Sequence, residues 1–229
     1  MGDVHGAYKA IVQCMSRAGF DYERDKLIFL GDVADGWPDV PECIEEFLKI
    51  KNLIALKGNH DLWLEEYLKY GDAPEHWLMQ GGIISVQSYK GKELLISRHL
   101  KFLEDALPYY LDENRRLFIH AGFNPAGKVE DTDVPDEDYY WSREVFRQSF
   151  AGPIQPGHYS EIFIGHTPTH GISYEPVNNF NVWLLDQGAA WDGYLTLMNV
   201  DTKRYVQSDR IRDLYPNDPG RAGLIYPAT

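Results

Sequence analysis

Six side chains of the kinds that bind metal ions occur in short, mostly glycine-containing segments spread along the chain. The segments read Gly2-Asp3-Val4-His5-Gly6, Gly31-Asp32-Val33-Ala34-Asp35-Gly36, Gly58-Asn59-His60-Asp61, His120-Ala121-Gly122 and Gly165-His166-Thr167-Pro168. The candidate ligands in them are Asp3, His5, Asp32, Asn59, His120 and His166. Carboxylate, amide and imidazole groups without a thiolate suit Mn, Fe or Zn, and they differ from the cysteine-rich set of a closed structural zinc site.

Every segment after the first follows a short apolar run. The runs are 27–30, 53–56, 117–119 and 162–164, and a fifth run, 182–185, leads into Asp186-Gln187-Gly188. Continuous apolar runs of this length are typical of strands buried on both faces. In open α/β sheets, ligands bind beyond the carboxyl ends of the strands. We therefore expect the separate segments to converge on one site.

Helical patterns alternate with these strands, which predicts an α/β protein. Predicted helices cover 8–18, 41–49, 62–70 and 100–111, and predicted edge strands or a hairpin cover 84–89 and 91–98. A hairpin over 193–207, a loop over 124–140 and an irregular tail from Pro216 complete the pattern. We predict a single domain, 1–229, in which 62–115 is a helical cap inserted between core strands.

The charge balance excludes several classes of function. The chain has 22 basic and 35 acidic residues, a net charge of −13, and stable binding to nucleic acid or to an anionic membrane needs a basic face. A phosphorylated substrate stays open, because bound cations would invert the local charge. Two cysteines are too few for a disulfide framework, and no signal peptide or membrane-spanning run is apparent. We expect a cytoplasmic protein with reduced cysteines, and the sequence does not indicate its oligomeric state.

The ligand inventory suits two ions better than one. A bridging carboxylate can hold two cations roughly 3.5–4 Å apart, and a hydroxide between them becomes a nucleophile for in-line attack at phosphorus. The residues therefore predict two-metal hydrolysis of a phosphate ester, with no covalent enzyme intermediate.

In order and spacing, the five segments resemble the signature of the calcineurin-like metallophosphoesterases. The stretches HWLMQGG (76–82), YWSREVF (140–146) and GYLTLMNV (193–200) resemble most closely the bacterial and phage serine/threonine phosphoprotein phosphatases. The resemblance covers nearly the whole chain. It implies two packed β-sheets flanked by helices, with two divalent ions as cofactors, Mn²⁺ in the first place and Fe or Zn as alternatives. It also implies a phosphorylated protein, a small phosphate ester or a nucleotide as substrate.

The resemblance further implies roles for individual residues. The ligands of the first ion would be Asp3 and His5, the bridging ligand Asp32, and the ligands of the second ion Asn59, His120 and His166. Asn59 would also contact the substrate phosphate. His60 would be the general acid that protonates the leaving group, with Asp35 orienting it. Arg143 would clamp the phosphate through its two-donor guanidinium.

One position departs from the family pattern. The family usually has Arg after the second Asp of Gly-Asp-x-x-Asp-Arg-Gly, where this chain has Gly36 followed by Trp37. One of two expected phosphate-binding arginines is therefore missing, and Arg98 and Lys57 are candidates to replace it. The alternative is that the substrate differs.

Two further functions stay open. Hydrolases of dinucleoside polyphosphates such as diadenosine tetraphosphate share the same motifs. Gly36 would also fit a partner-binding scaffold without catalysis, but the intact His60, Asp35 and six candidate ligands count against it.

The first segment raises a separate question, because no strand precedes Asp3 to aim it. We expect that a few apolar residues lie upstream of Met1 in the natural chain; otherwise the metal and the neighbouring strands hold this turn. In either case the first ion is expected to be bound more loosely than the second.

Overall fold

The protein is built from short strands in two layers, with helices outside them. The computed structural model describes residues 1–131 and 136–223. The strands in these ranges are β1 (Lys26–Phe29), β2 (Asn52–Ala55), β3 (Tyr109–Leu111), β4 (Arg116–Ile119), β5 (Glu161–Ile164), β6 (Val177–Asn179), β7 (Val182–Leu184), β8 (Thr196–Met198) and β9 (Tyr205–Gln207). All five predicted core strands and the predicted hairpin near the C-terminus are among them.

The helices in the same ranges are α1 (Tyr8–Ala18), α2 (Val40–Phe47), α3 (Asn59–Tyr70), α4 (Glu75–Trp77), α5 (Ile83–Ser88), α6 (Ile96–Glu104), α7 (Asp136–Trp141), α8 (Glu144–Ser149) and α9 (Ile211–Leu214). A π-helical turn at Leu78–Gly82 joins α4 to α5, and 3₁₀ turns lie at Glu93–Leu95 and Arg221–Gly223. Glycines in the left-handed conformation follow α1 and α3, because a residue without a Cβ can turn the chain there at little cost.

The larger sheet has the strand order β3-β4-β5-β7-β6. Its three inner strands, β4, β5 and β7, run parallel, and both outer strands are antiparallel to their neighbours. Side chains on a strand alternate between the two faces. In β4, Leu117 and Ile119 therefore join one apolar cluster while Phe118 joins another. Both faces of this strand are buried, which explains its uninterrupted apolar sequence.

The second layer is held together by the N-terminal residues. β1 and β2 form a parallel pair, and β8 and β9 an antiparallel pair. Between the two pairs, the Met1 amino group donates to the Ile28 carbonyl (2.8 Å) and Leu30 N donates to the Met1 carbonyl (3.0 Å). On the other side, Gly2 N donates to the Thr196 carbonyl (3.1 Å). Residues 1–2 thus take the place of a central strand.

An apolar layer fills the space between the sheets. Its buried members are Leu30, Leu56, Phe118, Phe163, Leu185 and Met198. Phe118 and Phe163 stack with ring centroids 4.8 Å apart. Helices α2, α3 and α6 share the main apolar cluster with β1 and β2, α1 packs against β8 and β9, and α8 packs outside the larger sheet through Val145. The prediction of an α/β fold with packed sheets flanked by helices is confirmed.

The predicted edge strands at 84–89 and 91–98 are wrong, since both segments are largely helical. Ile96, Leu100 and Leu103 recur at steps of four and three residues, which places them on one helical face against the main apolar cluster. Short apolar runs do not separate helix from strand, and packing of α6 on α3 decides the outcome here.

Two other boundaries differ from prediction. The helix predicted over 100–111 ends at Glu104, and β3 follows because Pro108 has no N–H to continue a helix. The loop predicted over 124–140 includes the start of α7, and its residues 132–135 lie outside the described ranges. The predicted irregular tail contains one 3₁₀ turn, and 224–229 lie outside the described ranges.

Both cysteines are buried and unbridged, in keeping with reduced thiols. None of the helices in 1–131 and 136–223 is long and apolar enough to cross a membrane. The cytoplasmic location, the single domain and the role of 62–115 as a cap stay predictions.

Replacing Phe118 by Ala should lower the free energy of unfolding by about 3–5 kcal/mol, because it empties the layer between the sheets. Phe150→Ala is the matched control, since that ring is 50% exposed and Phe118 only 2%. Urea denaturation followed by tryptophan fluorescence measures both. Equal losses in the two variants would contradict this account of the core.

Candidate dinuclear metal centre

The predicted ligands meet where the carboxyl ends of strands in both layers come together. Their loops follow β1, β2, β4 and β5, and the N-terminal segment adds Asp3 and His5. Several of these residues have a left-handed backbone, which costs a non-glycine residue of the order of 1–3 kcal/mol. The residues are His5 (φ 50°), Asp32 (φ 62°), Asp35 (φ 70°) and His166 (φ 62°). Four of the eight non-glycine residues with positive φ in 1–131 and 136–223 lie here, and backbone strain of this kind is found at functional sites.

Two groups of ligand-capable atoms share one carboxylate. The ligand atoms of His5, Asp32 and His60 lie within 4.8 Å of one another, and so do those of Asp32, His120 and His166. All five side chains are buried. Asp32 Oδ2 lies 3.7 Å from His5 Nε2 and 3.3 Å from His120 Nε2. A carboxylate in this position can bridge two ions.

Asn59 completes the second group. Its Oδ1 lies 3.1 Å from His120 Nε2 and 2.9 Å from His166 Nδ1. Atoms that share one ion at ~2.0–2.2 Å lie about 3–3.5 Å from each other, so these spacings fit a common ligand sphere.

Asp3 lies outside both three-residue groups but against the second one. Its Oδ2 accepts a hydrogen bond from His166 N (2.9 Å). Its Oδ1 and His166 Nε2 are buried with no hydrogen-bond partner in the described part of the chain. A Cβ at Gly165 would lie 2.0 Å from Asp3 Oδ1, so only glycine allows this approach. An unpartnered buried carboxylate oxygen is costly unless a ligand satisfies it, and Asp3 Oδ1 fits a cation.

Backbone carbonyls set the imidazole tautomers. His5 Nδ1 lies 2.6 Å from the Ala34 carbonyl, and His120 Nδ1 lies 2.8 Å from the Leu30 carbonyl. A carbonyl can only accept, so each Nδ1 carries the proton. Each Nε2 lone pair is then available inside the site, which is the usual arrangement of a metal-binding histidine.

Burial and mutual charge set the protonation of the site. Burial lowers the pKa of His5 and of His166 to about 3, and it raises the pKa of Asp3 well above its usual range. Burial would also raise the pKa of Asp32, but the imidazoles of His120 and His60 outweigh it and hold this pKa well below its usual range. The ionised Asp32 in turn outweighs burial at His120 and raises its pKa to about 10. The pocket combines the neutral imidazoles of His5 and His166 with the ionised Asp32, and a bound cation would take the place of the proton that Asp32 stabilises on His120.

Asp61 holds the Asp32 loop in place, a role that the sequence did not reveal. Its Oδ2 accepts from Asp32 N (2.8 Å) and Gly58 N (2.9 Å), and its Oδ1 accepts from Val33 N (2.7 Å). The carboxylate therefore ties the loop after β1 to the N-terminus of α3. The only signal in the sequence is an acidic residue three positions after Gly58, the spacing of a capping box.

The predicted pair of His60 and Asp35 is brought together. His60 Nδ1 lies 2.7 Å from Asp35 Oδ2. The same oxygen accepts from Trp77 Nε1 (2.6 Å), and Asp35 Oδ1 accepts from Ser85 Oγ (2.6 Å). The helices between β2 and β3 thus fix the carboxylate that orients His60. Nothing local in the sequence marks Trp77 or Ser85 for this role.

Asp186 also belongs to the site. It is buried at the end of β7, and its Oδ1 accepts from Gly188 N (2.9 Å). Burial, with the nearby charge of Asp32, raises its pKa to about 6. The charge of Asp186 also raises the pKa of Asp3. The residue that follows the fifth predicted strand, 182–185, therefore lies near the candidate metal ligands.

Comparison with known proteins assigns the family. The sequence model of the calcineurin-like phosphoesterases matches residues 1–191. The chain belongs to the calcineurin-like phosphoesterase family.

Relatives of this phosphoesterase have two different activities in their names. Serine/threonine-protein phosphatase 1 of Salmonella typhimurium is 25% identical over 209 residues, covering 87% of this chain and 90% of the relative. A symmetrical bis(5'-nucleosyl)-tetraphosphatase of Cellvibrio japonicus is 24% identical over 263 residues, covering 90% and 96%. The crystal structure of a presumed diadenosine tetraphosphatase aligns with TM-score 0.65 at 14% identity over 90% of each chain, a likeness of fold. The protein is thus a hydrolase of phosphate esters, and its family and ligand clusters indicate divalent metal ions.

The three candidate phosphate-binding cations differ in whether they reach the site. The exposed Arg143 reaches the site, because its Nε donates to Thr167 Oγ1 (3.3 Å) beside His166. Lys57 forms an ion pair with Glu65 of α3 (2.6 Å), and Arg98 pairs with Glu45 of α2. Both candidates for the missing arginine are therefore engaged by helical glutamates.

Asp61→Ala should leave three buried N–H groups without an acceptor and cost about 3–5 kcal/mol of stability. It should also weaken metal binding, because the Asp32 loop loses its anchor. Thermal unfolding with and without Mn²⁺ measures both effects. Glu66→Ala, an exposed acid on the same helix, is the control; the prediction fails if the two variants behave alike.

Ser85→Ala removes one donor to Asp35 and should lower kcat for an aryl phosphate by about tenfold, equivalent to ~1.4 kcal/mol. KM should change little, because the serine orients His60 through Asp35 and does not contact substrate. Ser88→Ala is the matched control, since Ser88 Oγ donates only within its own helix, to the Ser85 carbonyl (2.7 Å). An unchanged kcat in Ser85→Ala would refute the positioning role.

Proposed function

We propose that this phosphoesterase hydrolyses phosphate monoesters with two divalent ions, in the first place those of serine/threonine phosphoproteins. The observation that carries the proposal is the Asp32 carboxylate shared by two ligand groups. The proposed ligands are Asp3, His5 and Asp32 for the first ion, and Asp32, Asn59, His120 and His166 for the second. Mn²⁺ is the metal proposed in the first place, with Fe or Zn as alternatives, because a nitrogen- and oxygen-rich set without a thiolate suits all three.

Residues of the protein would orient the phosphate ester and deliver a proton to its leaving oxygen. When bound, the two ions would activate a water molecule and neutralise phosphate charge. Asp35 holds His60 Nδ1, which leaves the other ring nitrogen to deliver a proton to the leaving oxygen. The pair is buried, so the imidazole keeps one orientation. Asn59 at the second ion would also contact the phosphate.

Arg143 would bind the phosphate from the side of the second ion. Its guanidinium lies close enough to His166 to contribute to the lowered pKa of that imidazole. A planar guanidinium can donate two hydrogen bonds to phosphate oxygens. Its exposure leaves it free to close on a substrate at the surface.

The phosphoprotein assignment is supported by the phosphatase of Salmonella typhimurium. A second candidate, hydrolysis of a dinucleoside tetraphosphate, is supported by the relative of Cellvibrio japonicus and by two aromatic side chains at the site. The rings of Trp63 and Trp141 pack edge to face with centroids 5.0 Å apart. Trp63 also contacts His60, with centroids 5.2 Å apart, and Trp141 contacts His166 at 6.4 Å. Because Trp141 is 40% exposed, its face could stack on a nucleobase.

A substrate panel separates the candidates. Purified protein with Mn²⁺ is assayed against para-nitrophenyl phosphate, a phosphoserine peptide and diadenosine tetraphosphate, with EDTA as the blank. The proposal expects kcat/KM to be highest for the phosphopeptide. A preference for the tetraphosphate that Trp141→Ala abolishes would establish the second candidate. Metal binding with no hydrolysis of any ester would instead support a non-catalytic scaffold.

His60→Ala should lower kcat for the phosphopeptide by about 10²–10⁴-fold, the usual contribution of general acid catalysis. The loss should be smaller for para-nitrophenyl phosphate, whose leaving group needs little protonation. His158→Ala is the control, because His158 pairs with Glu130, outside both ligand groups. Full activity of His60→Ala on the phosphopeptide would disprove the assignment.

A further inference from the structure

The half-buried Trp63 lies directly beside His60, the proposed general acid. It follows His60 by three residues on α3, and residues three apart lie on the same side of a helix. The two rings meet edge to face, with centroids 5.2 Å apart. Because Asp35 holds His60 Nδ1, only Nε2 is left to serve the leaving oxygen. That oxygen must lie within hydrogen-bond distance of the imidazole, so the leaving group lies next to Trp63.

Two more rings, from separate segments, meet Trp63. Trp141 of α7 lies 5.0 Å from it between centroids, at 68° between planes, and His76 of α4 lies 5.8 Å away, at 65°. Both of these residues are exposed. The ring of His60 is also steeply inclined to the indole, at 84°, so within 1–131 and 136–223 no ring lies flat on Trp63. Trp63, His76 and Trp141 thus form an aromatic wall that is partly open to solvent.

The two tryptophans of the aromatic wall lie beside different parts of the site. The ring of Trp141 contacts His166, with centroids 6.4 Å apart, and Arg143 donates to Thr167 beside the same histidine. In the proposed function, that end of the wall borders the second ion and the phosphate clamp. Trp63 contacts the general acid instead. A group bonded to the leaving oxygen therefore meets Trp63 before any other member of the wall.

We propose that Trp63 is a specificity-determining residue, which selects phosphorylated segments that carry an aromatic side chain next to the phosphoserine. The inference rests on the proposed phosphatase function. In such a substrate the leaving oxygen belongs to the serine, so the adjoining peptide leaves the site on the His60 side. A neighbouring aromatic side chain can then pack on the half-buried indole, whereas glycine leaves the indole uncovered. Aromatic rings in contact attract each other beyond the area that they bury.

The test compares two phosphoserine peptides that differ only in one flanking residue, Phe or Gly. The ratio of their kcat/KM values is measured with Mn²⁺ for the wild type, Trp63→Ala, Trp63→Phe and Tyr70→Ala. Tyr70 is the matched control, an aromatic residue at the end of the same helix that is 67% exposed. We expect the wild type and Tyr70→Ala to prefer the Phe peptide about tenfold, Trp63→Phe to keep part of the preference, and Trp63→Ala to lose it. The ratio is decisive, because a disturbance of His60 would slow both peptides alike.

The outcomes distinguish this inference from the proposed function. Hydrolysis of both peptides at equal kcat/KM by the wild type, or an unchanged ratio in Trp63→Ala, overturns the inference and leaves the phosphatase proposal intact. The same peptides with a non-hydrolysable phosphonate are titrated by calorimetry. If the wild type hydrolyses neither ester but binds the Phe phosphonate more tightly, and Trp63→Ala does not, the binding role stands and the phosphatase proposal fails. Should the alanine variant not fold, Trp63→Leu, which keeps an apolar side chain without a ring, gives the same comparison.

Discussion

The carboxylate of Asp32 is the group on which the arrangement of the whole site depends. One oxygen accepts from His60 N (2.9 Å), and the other faces His5 and His120. Its backbone has a left-handed conformation, and its N–H is held by Asp61. The position can be occupied only because the loops after β1 and β2 approach closely: a Cβ at Gly58 would lie 2.1 Å from Asp32 Oδ1. The close packing of the two loops thus serves the placement of a single charged group.

The helices between β2 and β3 pack on the core and also supply hydrogen-bond donors to the Asp35 carboxylate. Trp77 and Ser85 donate to the two oxygens of Asp35, and Gly81, with φ 110°, lets the backbone pack against the carbonyl of that residue. A buried carboxylate is costly unless several donors satisfy it. The donors Trp77 and Ser85 therefore make it favourable to keep Asp35 behind His60. Stability of this segment and orientation of the imidazole are linked through the same hydrogen bonds.

Both ends of the described chain are built into the site. At the start, residues 1–2 join β1 to β8, and Asp3 lies against the backbone of His166. The looser binding expected for the first ion stays a prediction, although these hydrogen bonds hold the segment on both sides. At the other end, Gly220 and Arg221 lie on Trp37 and Gly36. The turn that carries His5 is therefore connected, through Gly36 and Trp37, to residues more than two hundred positions away in the sequence.

The sequence by itself determined the α/β class and the core strands, and it supplied the candidate ligands that the fold brings together. Apolar runs buried on both faces are locally recognisable, and the residues that follow them must meet, because strand ends share an edge of the sheet. Only the tertiary structure decided that 84–89 and 91–98 are largely helical, since packing of α5 on α2 and of α6 on α3 overrides an ambiguous apolar pattern. It alone revealed Asp61, Trp77 and Ser85 as supports, and it brought Arg221 to Gly36. Such contacts join residues far apart in the chain, and no local spacing or periodicity encodes them.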